Sequence, residues 1–489
     1  MSARSRAAAV AICFAATACA VTACTPDGEV PPKQASASAS TTPVALRVAV
    51  YGPQRVLDAY RKVISDFEAG QPRVTVDLET YASAEEELRA VRREATAGKT
   101  PDLFLTGVDA LPGLQRDHLI QPVDALLGER HVDFGDGYPR SALESFSRDA
   151  ALQCMPTQYS PLVVYYNPDL VDLDDAQGDD HPISATRGWT MGEFSRAVAA
   201  VVAGGHAGVY VDPALDQVAP FAASAGGSVV DSVTDPKTTT LGSSSAADGI
   251  TQLLATVGTQ RRAQKHARRM GERVRIPDSQ AAAYTMFESG RLGMLLGYRD
   301  LTGVLRASHT KVDFDVLPLP VIGSRSTSGD LAGMCMARAT ADPAAAAEFL
   351  TYLVGRHAMA VLAHTGFVMP TNMSVISSNA FWQPRKNPAS ASVFTAQVRY
   401  IDPGPVTELW PRVENLVDAH LTSIFTRPRA VPDPDRVQRQ LTMLDDDTAA
   451  VLAPPSQTPQ PSTQPSTEPS TPPSTGSATS PSGSSSPAP

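Results

Sequence analysis

Apolar positions along this chain switch repeatedly between a period of two and a period near four. Residues 45–50 (ALRVAV) predict a short buried strand. Over 55–69, Val56, Tyr60, Val63, Ile64 and Phe67 share one helical stripe, and Gly70-Gln71-Pro72 ends it. Residues 73–79 (RVTVDLE) alternate as a second strand. A helix with exposed charges is predicted over 84–97, and a third strand over 102–106 (DLFLT). Such a β-α-β-α-β run calls for a parallel sheet covered by helices. Sheets of this kind gather ligands at the carboxyl ends of their strands. Tyr51, Tyr81 and Asp109 occupy those ends and are the first candidate ligand contacts.

The two ends of the chain lack this patterning. Arg4 and Arg6 precede an apolar run at 7–20, shorter than the ~20 residues a spanning helix needs. Val21-Thr22-Ala23-Cys24 follows and resembles the lipobox of bacterial lipoproteins. The expectation is a signal peptide over 1–23 and lipidation at Cys24. Ala16-Thr17-Ala18-Cys19 is a weaker second candidate, and an ordinary cleaved signal with a spare cysteine is the alternative. With its lipidated cysteine, 24–43 reads as a flexible linker, reaching roughly 25 Å. Residues 454–489 repeat Pro-Ser-Thr and read as an extended, disordered tail, either bare or O-glycosylated.

Composition narrows the function classes. The 489 residues are 42% hydrophobic, enough for two or three cored domains. A net charge of −10 argues against a nucleic-acid partner. Five cysteines without a CxxC pair exclude a dense disulfide scaffold and a zinc ribbon. There is no HExxH, no GxSxG elbow and no P-loop, so neither cofactor nor metal is expected and no catalytic residue is assigned. Acidic residues are plentiful, so a glycosidase pair stays open as an exported glycan hydrolase reading. Residues 261–275 (RRAQKHARRMGERVR) concentrate positive charge. They read as a solvated helix face, or as a contact for anionic lipid or cell-wall polymer.

Longer segments resemble the extracellular solute-binding proteins of bacterial ABC importers, in their large carbohydrate-type group. The carriers are the opening VAVYGPQRVLDAYRKVISDFEAGQPRVTVDLE, PDLFLTGVDALPGL, and Tyr159 to Asn167 (YSPLVVYYN). GWTMGEF at 188–194, MFESGRLGMLLG at 286–297 and GFVMP at 366–370 follow in the family's order. The resemblance covers nearly all of 44–453. It implies an α/β, two-lobed periplasmic-binding-protein type II fold, each lobe a mainly parallel sheet flanked by helices. Lobe 1 is expected over 44–161 plus 333–372, and lobe 2 over 166–329 plus 374–453. Gly329 and Gly333 are hinge candidates, with plain turns as the alternative.

The resemblance further implies capture of a sugar-like solute by lobe closure and delivery to an ABC importer permease. The protein would be a monomer without enzymatic activity, held outside the cell membrane by its lipid. A sensor or scaffold role for a membrane kinase or the cell-wall machinery is the rival reading. Gln158, Tyr159 and Tyr298 join the candidate contacts. Arg299 is expected either to clamp an anionic group or to pair with Asp300, and Trp189 to be core. Cys154 and Cys335 sit in segments that relatives place on neighbouring strands, which implies a disulfide, with two buried thiols as the alternative. The chain departs from the family in Tyr51-Gly52-Pro53, in Tyr298 where relatives often carry tryptophan, and in its 6% of aromatics. Those departures leave a phosphorylated polyol, an amino sugar or a peptide open as ligands.

Overall fold

The computed structural model describes residues 43–178, 182–269, 275–308, 312–426 and 432–453. The expected signal peptide, Cys24, nearly all of the linker and the tail lie outside the described residues.

Strand β1 (Val44–Tyr51) leads into helix α1 (Gln54–Gly70), whose predicted stripe from Val56 to Phe67 is buried. Strand β2 (Val74–Tyr81) pairs in parallel with β1 along its whole length and ends with Tyr81 level with Tyr51. Helix α2 (Ala84–Thr96) starts where the Ser83 hydroxyl accepts the Glu86 N–H, and β3 (Leu103–Gly107) then adds to the other side of β1. Next come α3 (Leu111–Arg116), β4 (Ile120–Gln121), α4 (Arg140–Ser145) and β5 (Cys154–Pro161).

A single residue separates β5 from β6 (Val163–Tyr166), which belongs to a second sheet. Helix α5 (Met191–Ala203) opens with a capping box of Thr190 and Glu193. The chain continues through β7 (Ala207–Tyr210), α6 (Leu215–Ser224), α7 (Ser244–Arg269) and α8 (Gln280–Glu288). It then forms β8 (Leu292–Gly297), α9 (Arg299–Ala307) and β9 (Asp315–Leu317). The second sheet has the order β9-β6-β8-β7. Strand β10 (Gly329–Ala337) returns to the first sheet, which runs β2-β1-β3-β10-β4 with β5 also paired to β10. Both sheets are mixed rather than mainly parallel. β10 is antiparallel to β3, β4 and β5, and β6 is antiparallel to β8 and β9.

Further helices include α10 (Pro343–Leu353), α11 (Arg356–Ala363), α12 (Asn379–Trp382), α13 (Ser392–Gln397), α14 (Trp410–Thr426) and α15 (Pro434–Leu452). Residues from Pro43 onward form one compact unit. Two hydrophobic clusters fill it, one around the first sheet and one around the second. On the second sheet the alternation of side chains divides them: Val164, Leu296 and Leu317 join the second cluster, while Tyr165, Leu295 and Val316 join the first. Of the stretch 374–453, residues 375–401 pack into the first cluster and 410–452 into the second.

Three passages between the two clusters lie side by side. The Leu162 N–H donates to the Ser328 carbonyl at 2.9 Å, and the Thr327 hydroxyl donates to the Leu162 carbonyl at 2.7 Å. Thr327 also bridges Ile401 in parallel. Gly329 and Gly333 are strand residues here rather than turns. A side chain at Gly329 would meet Ile401 at 2.6 Å, and one at Gly333 would meet Phe146 at 2.9 Å, so both are required by close packing. Cys154 and Cys335 stand opposite one another on β5 and β10 and are joined by a disulfide, with Cα atoms 4.2 Å apart. Trp189 is buried core, its indole N–H donating to the Pro318 carbonyl at 2.9 Å.

Candidate functional site

The carboxyl ends of β1 and β3 meet the start of β10. Tyr51 ends β1, half-buried, and Asp109 follows β3, exposed. Gly107 pairs with Ala332, and Asp109, in the 3-10 turn that follows β3, lies close enough for its charge to act on Asp330. Asp330 in turn pairs with Ser160 of β5. The Ser160 hydroxyl accepts the backbone N–H of Arg299 at 2.8 Å, which draws the end of β8 to the same place. There Tyr298 is half-buried and donates its hydroxyl to Asp216 Oδ2 on α6 at 2.9 Å. Five segments distant in sequence thus deliver Tyr51, Asp109, Asp216, Tyr298, Asp300 and Asp330 to one locus.

Its electrostatics are those of a cleft. Asp216, Asp300 and Asp330 are open to solvent, yet surrounding protein raises each carboxyl above the usual range. Side chains that are both wet and enclosed line a groove rather than a convex surface. Asp330 is pushed up to about 7, first by loss of solvation and then by the charges of Asp300, Asp216 and Asp109. Burial also lifts the Tyr51 and Tyr298 hydroxyls, with Asp330 and Asp216 the leading charged neighbours respectively. A recess of about 140 Å³ adjoins Asp216, between the passages at 326–329 and 402–405, and Trp410 and Glu414 form another wall. Burial pushes Glu414 up to about 7. Among the described residues no group of three or more His, Cys, Asp or Glu is arranged to hold a metal ion. The carboxylates stand close enough to feel each other's charge without forming a metal cage. They present hydrogen-bond acceptors to a ligand with many hydroxyls, beside two phenol rings.

The other expected contacts separate. Tyr81 lies beside Tyr51, its hydroxyl donating to Glu79 at 3.3 Å; burial, then Glu79, pushes it up to about 12. Gln158 is half-buried on the same strand face as Ser160. Tyr159 faces the other way: it is 1% exposed and donates to the Ser141 hydroxyl on α4 at 2.8 Å, so it is packing rather than a cleft contact. Arg299 is fully buried and turned from the cleft. Its guanidinium sits between Phe381 and Phe394, 4.3 and 5.2 Å from their centroids, and donates to the Phe381 carbonyl at 3.1 Å. It neither clamps a ligand nor pairs with Asp300, and burial pulls it down to about 9. Sequence reasoning missed Asp216, Asp330 and Glu414; the one available signal was polar Ser328-Gly329-Asp330 opening an otherwise apolar strand.

A family profile described as bacterial extracellular solute-binding protein matches residues 62–389. Solved structures share the fold at low identity. The ABC substrate-binding protein Lmo0181 from Listeria monocytogenes, in complex with cycloalternan, is 16% identical with a TM-score of 0.65, covering 84% of this chain and 99% of that one. The GacH receptor of Streptomyces glaucescens, solved unliganded and with acarbose, gives 16% and 0.65 over 84% and 98%. The cyclic alpha-maltosyl-1,6-maltose binding protein from Arthrobacter globiformis gives 17% and 0.65 over 84% and 99%. Comparison with curated proteins finds no match.

Proposed function

We propose, from the premise that this chain belongs to the bacterial extracellular solute-binding proteins, that its acidic, tyrosine-flanked cleft captures an oligosaccharide for delivery to an ABC importer permease. The family binds solutes and performs no chemistry on them. The observation that carries the reading is the convergence of Tyr51, Asp109, Asp216, Tyr298 and Asp330 at the strand ends where such sheets bind ligands. Structures of the same fold hold cycloalternan, acarbose and maltotetraose in their own sites.

The charge of the cleft selects among sugars. Carboxylates accept hydrogen bonds from hydroxyls, each worth roughly 1.5–3 kcal/mol, and a micromolar affinity needs only about 8 kcal/mol in total. The same carboxylates repel phosphate and carboxylate groups. The proposed ligand is therefore neutral or amino-bearing, and the phosphorylated polyol drops out for this site. Capture proceeds by closure of two lobes built on the two sheets, bending at the passages through Leu162, Thr327 and Ile401. Cys24 carries the lipid that keeps the receptor at the outer face of the cell membrane.

A thermal-shift panel of maltodextrins, amino sugars and sugar phosphates tests the reading. At least one neutral or amino-bearing glycan raises Tm in proportion to occupancy. A shift produced by sugar phosphates alone contradicts it. For the anchor, Cys24→Ala releases the protein from the membrane fraction; retention there contradicts lipidation at Cys24.

A further inference from the structure

Two arginines of α9 turn into the protein and meet no carboxylate there. Arg299 and Arg306 stand two helical turns apart and so share one face. Both fasten α9 to the chain around α12. Arg299 Nη2 donates to the Phe381 carbonyl at 3.1 Å, Arg306 Nη1 to Gln383 Oε1 at 3.1 Å, and Arg306 Nε to the Asn387 carbonyl at 2.6 Å. Arg299 is fully buried, and the charge of Arg306 reaches it.

The other nitrogens of these side chains have nothing to donate to. Arg299 Nε and Nη1 and Arg306 Nη2 are buried without a partner. Of the five such side-chain atoms among the described residues, four are N–H donors. All four sit on α9 and α13, which touch through Arg299 and Phe394, the fourth being the Gln397 amide. No described carboxylate acts on either arginine; the charges that do are those of Arg306 on Arg299 and of Arg55 on Arg306. Tyr165, also near both, is held protonated by burial and spends its hydroxyl on the Tyr298 carbonyl and Thr302. Asp313 is bound to Asn387 Nδ2 at 3.0 Å, and Asp315 to the Ser390 N–H and hydroxyl at 2.8 Å each, while Asp300 opens on the cleft. His309, Thr310 and Lys311, which follow outside the described residues, bring no carboxylate.

A buried cation with unmet donors destabilises the fold unless an acceptor and a counter-charge reach it. Water accepts from such donors but must also place two hydrogens of its own, whereas an anion only accepts and supplies the missing charge. We infer that a small monovalent anion, a halide of chloride's size, binds in the interior against Arg299 and Arg306. Close packing around the pair favours a single atom over a tetrahedral oxyanion. A side chain at Gly303 would meet Phe367 at 2.3 Å, and one at Gly366 would meet Arg306 Nη1 at 3.0 Å. The anion ties α9, which begins directly after Tyr298, to the segment 381–387. This site is independent of the sugar cleft and of the function proposed for it.

The test refolds the full chain from chloride-free urea and follows its Tm in sodium chloride, sodium gluconate and sodium sulfate at matched ionic strength. Tm should rise with chloride along a saturating curve, as for a ligand of the folded state alone, and neither gluconate nor sulfate should reproduce it. Arg299→Met/Arg306→Met should unfold at a Tm indifferent to chloride. Crystals of the wild type grown in sodium bromide, measured at the bromine absorption edge, should show an anomalous peak in contact with the Arg299 guanidinium. That measurement stands even if the double variant fails to fold. A chloride response no larger than that of gluconate, a response to sulfate alone, an undiminished response in the folded double variant, or a bromide crystal with water alone at Arg299 each overturns the proposal.

Discussion

Tyr298 donates its phenolic hydrogen to Asp216 Oδ2 at 2.9 Å, tying the end of β8 to the first turn of α6. The bond fixes a ring face and a carboxylate in one geometry. Tyr298→Phe keeps the ring and frees Asp216, so glycan affinity should fall by about five- to tenfold. Tyr298→Ala removes the face as well and should lose more. Equal affinities for wild type and both variants would place the ligand elsewhere.

Arg299 tests the opposite case, a charged residue beside the site that does not serve it. Arg299→Met fills the space between Phe381 and Phe394 without the charge. Glycan affinity should stay within about twofold of wild type, because the guanidinium does not reach the cleft. Arg299→Ala should cost about 2–4 kcal/mol in urea unfolding, as the sandwich between two rings is emptied. A large affinity loss in Arg299→Met would restore the clamp.

The bond between Cys154 and Cys335 closes a loop of 181 residues across β5 and β10. Replacing both cysteines by alanine should lower unfolding free energy by about 2–5 kcal/mol. Adding reductant should then leave the double variant's Tm unchanged while lowering the wild type's.

Glu87 is buried beneath β3, where its carboxyl accepts the Leu105 N–H at 3.1 Å, and loss of solvation pushes it up to about 9. The folded state holds this proton more tightly than the unfolded chain does. Its contribution is therefore full below the unfolded carboxyl range near pH 4, and is lost as pH rises towards 9. Glu87→Gln keeps the acceptor without an ionisable group. It should stabilise the protein by about 1–3 kcal/mol at pH 8 and hardly at all at pH 4. A gain independent of pH would mean the carboxyl is not held neutral.

The first three strands and two helices were legible in the sequence because each element has one buried face, and periods of two and near four record that directly. The site was only partly legible. Gln158 and Tyr159 are adjacent on a strand, so they point to opposite faces, and only one can reach a given cleft. Tyr298 and Arg299 straddle a helix start, where successive side chains diverge, and Arg299 turned into the core. Asp216, Asp330 and Glu414 come from separate segments, and no local pattern marks them as neighbours. Their meeting is set by strand register and by the passages through Leu162, Thr327 and Ile401.

The most direct measurement is isothermal titration of the full chain with maltotetraose, acarbose and an amino-sugar oligomer, repeated on Tyr51→Ala/Tyr298→Ala. Saturable, roughly micromolar binding of at least one glycan, abolished in a double variant that still unfolds in one cooperative transition, is the expected result. Glycan heats that survive the double substitution, or a chain indifferent to every glycan, would contradict capture in this cleft.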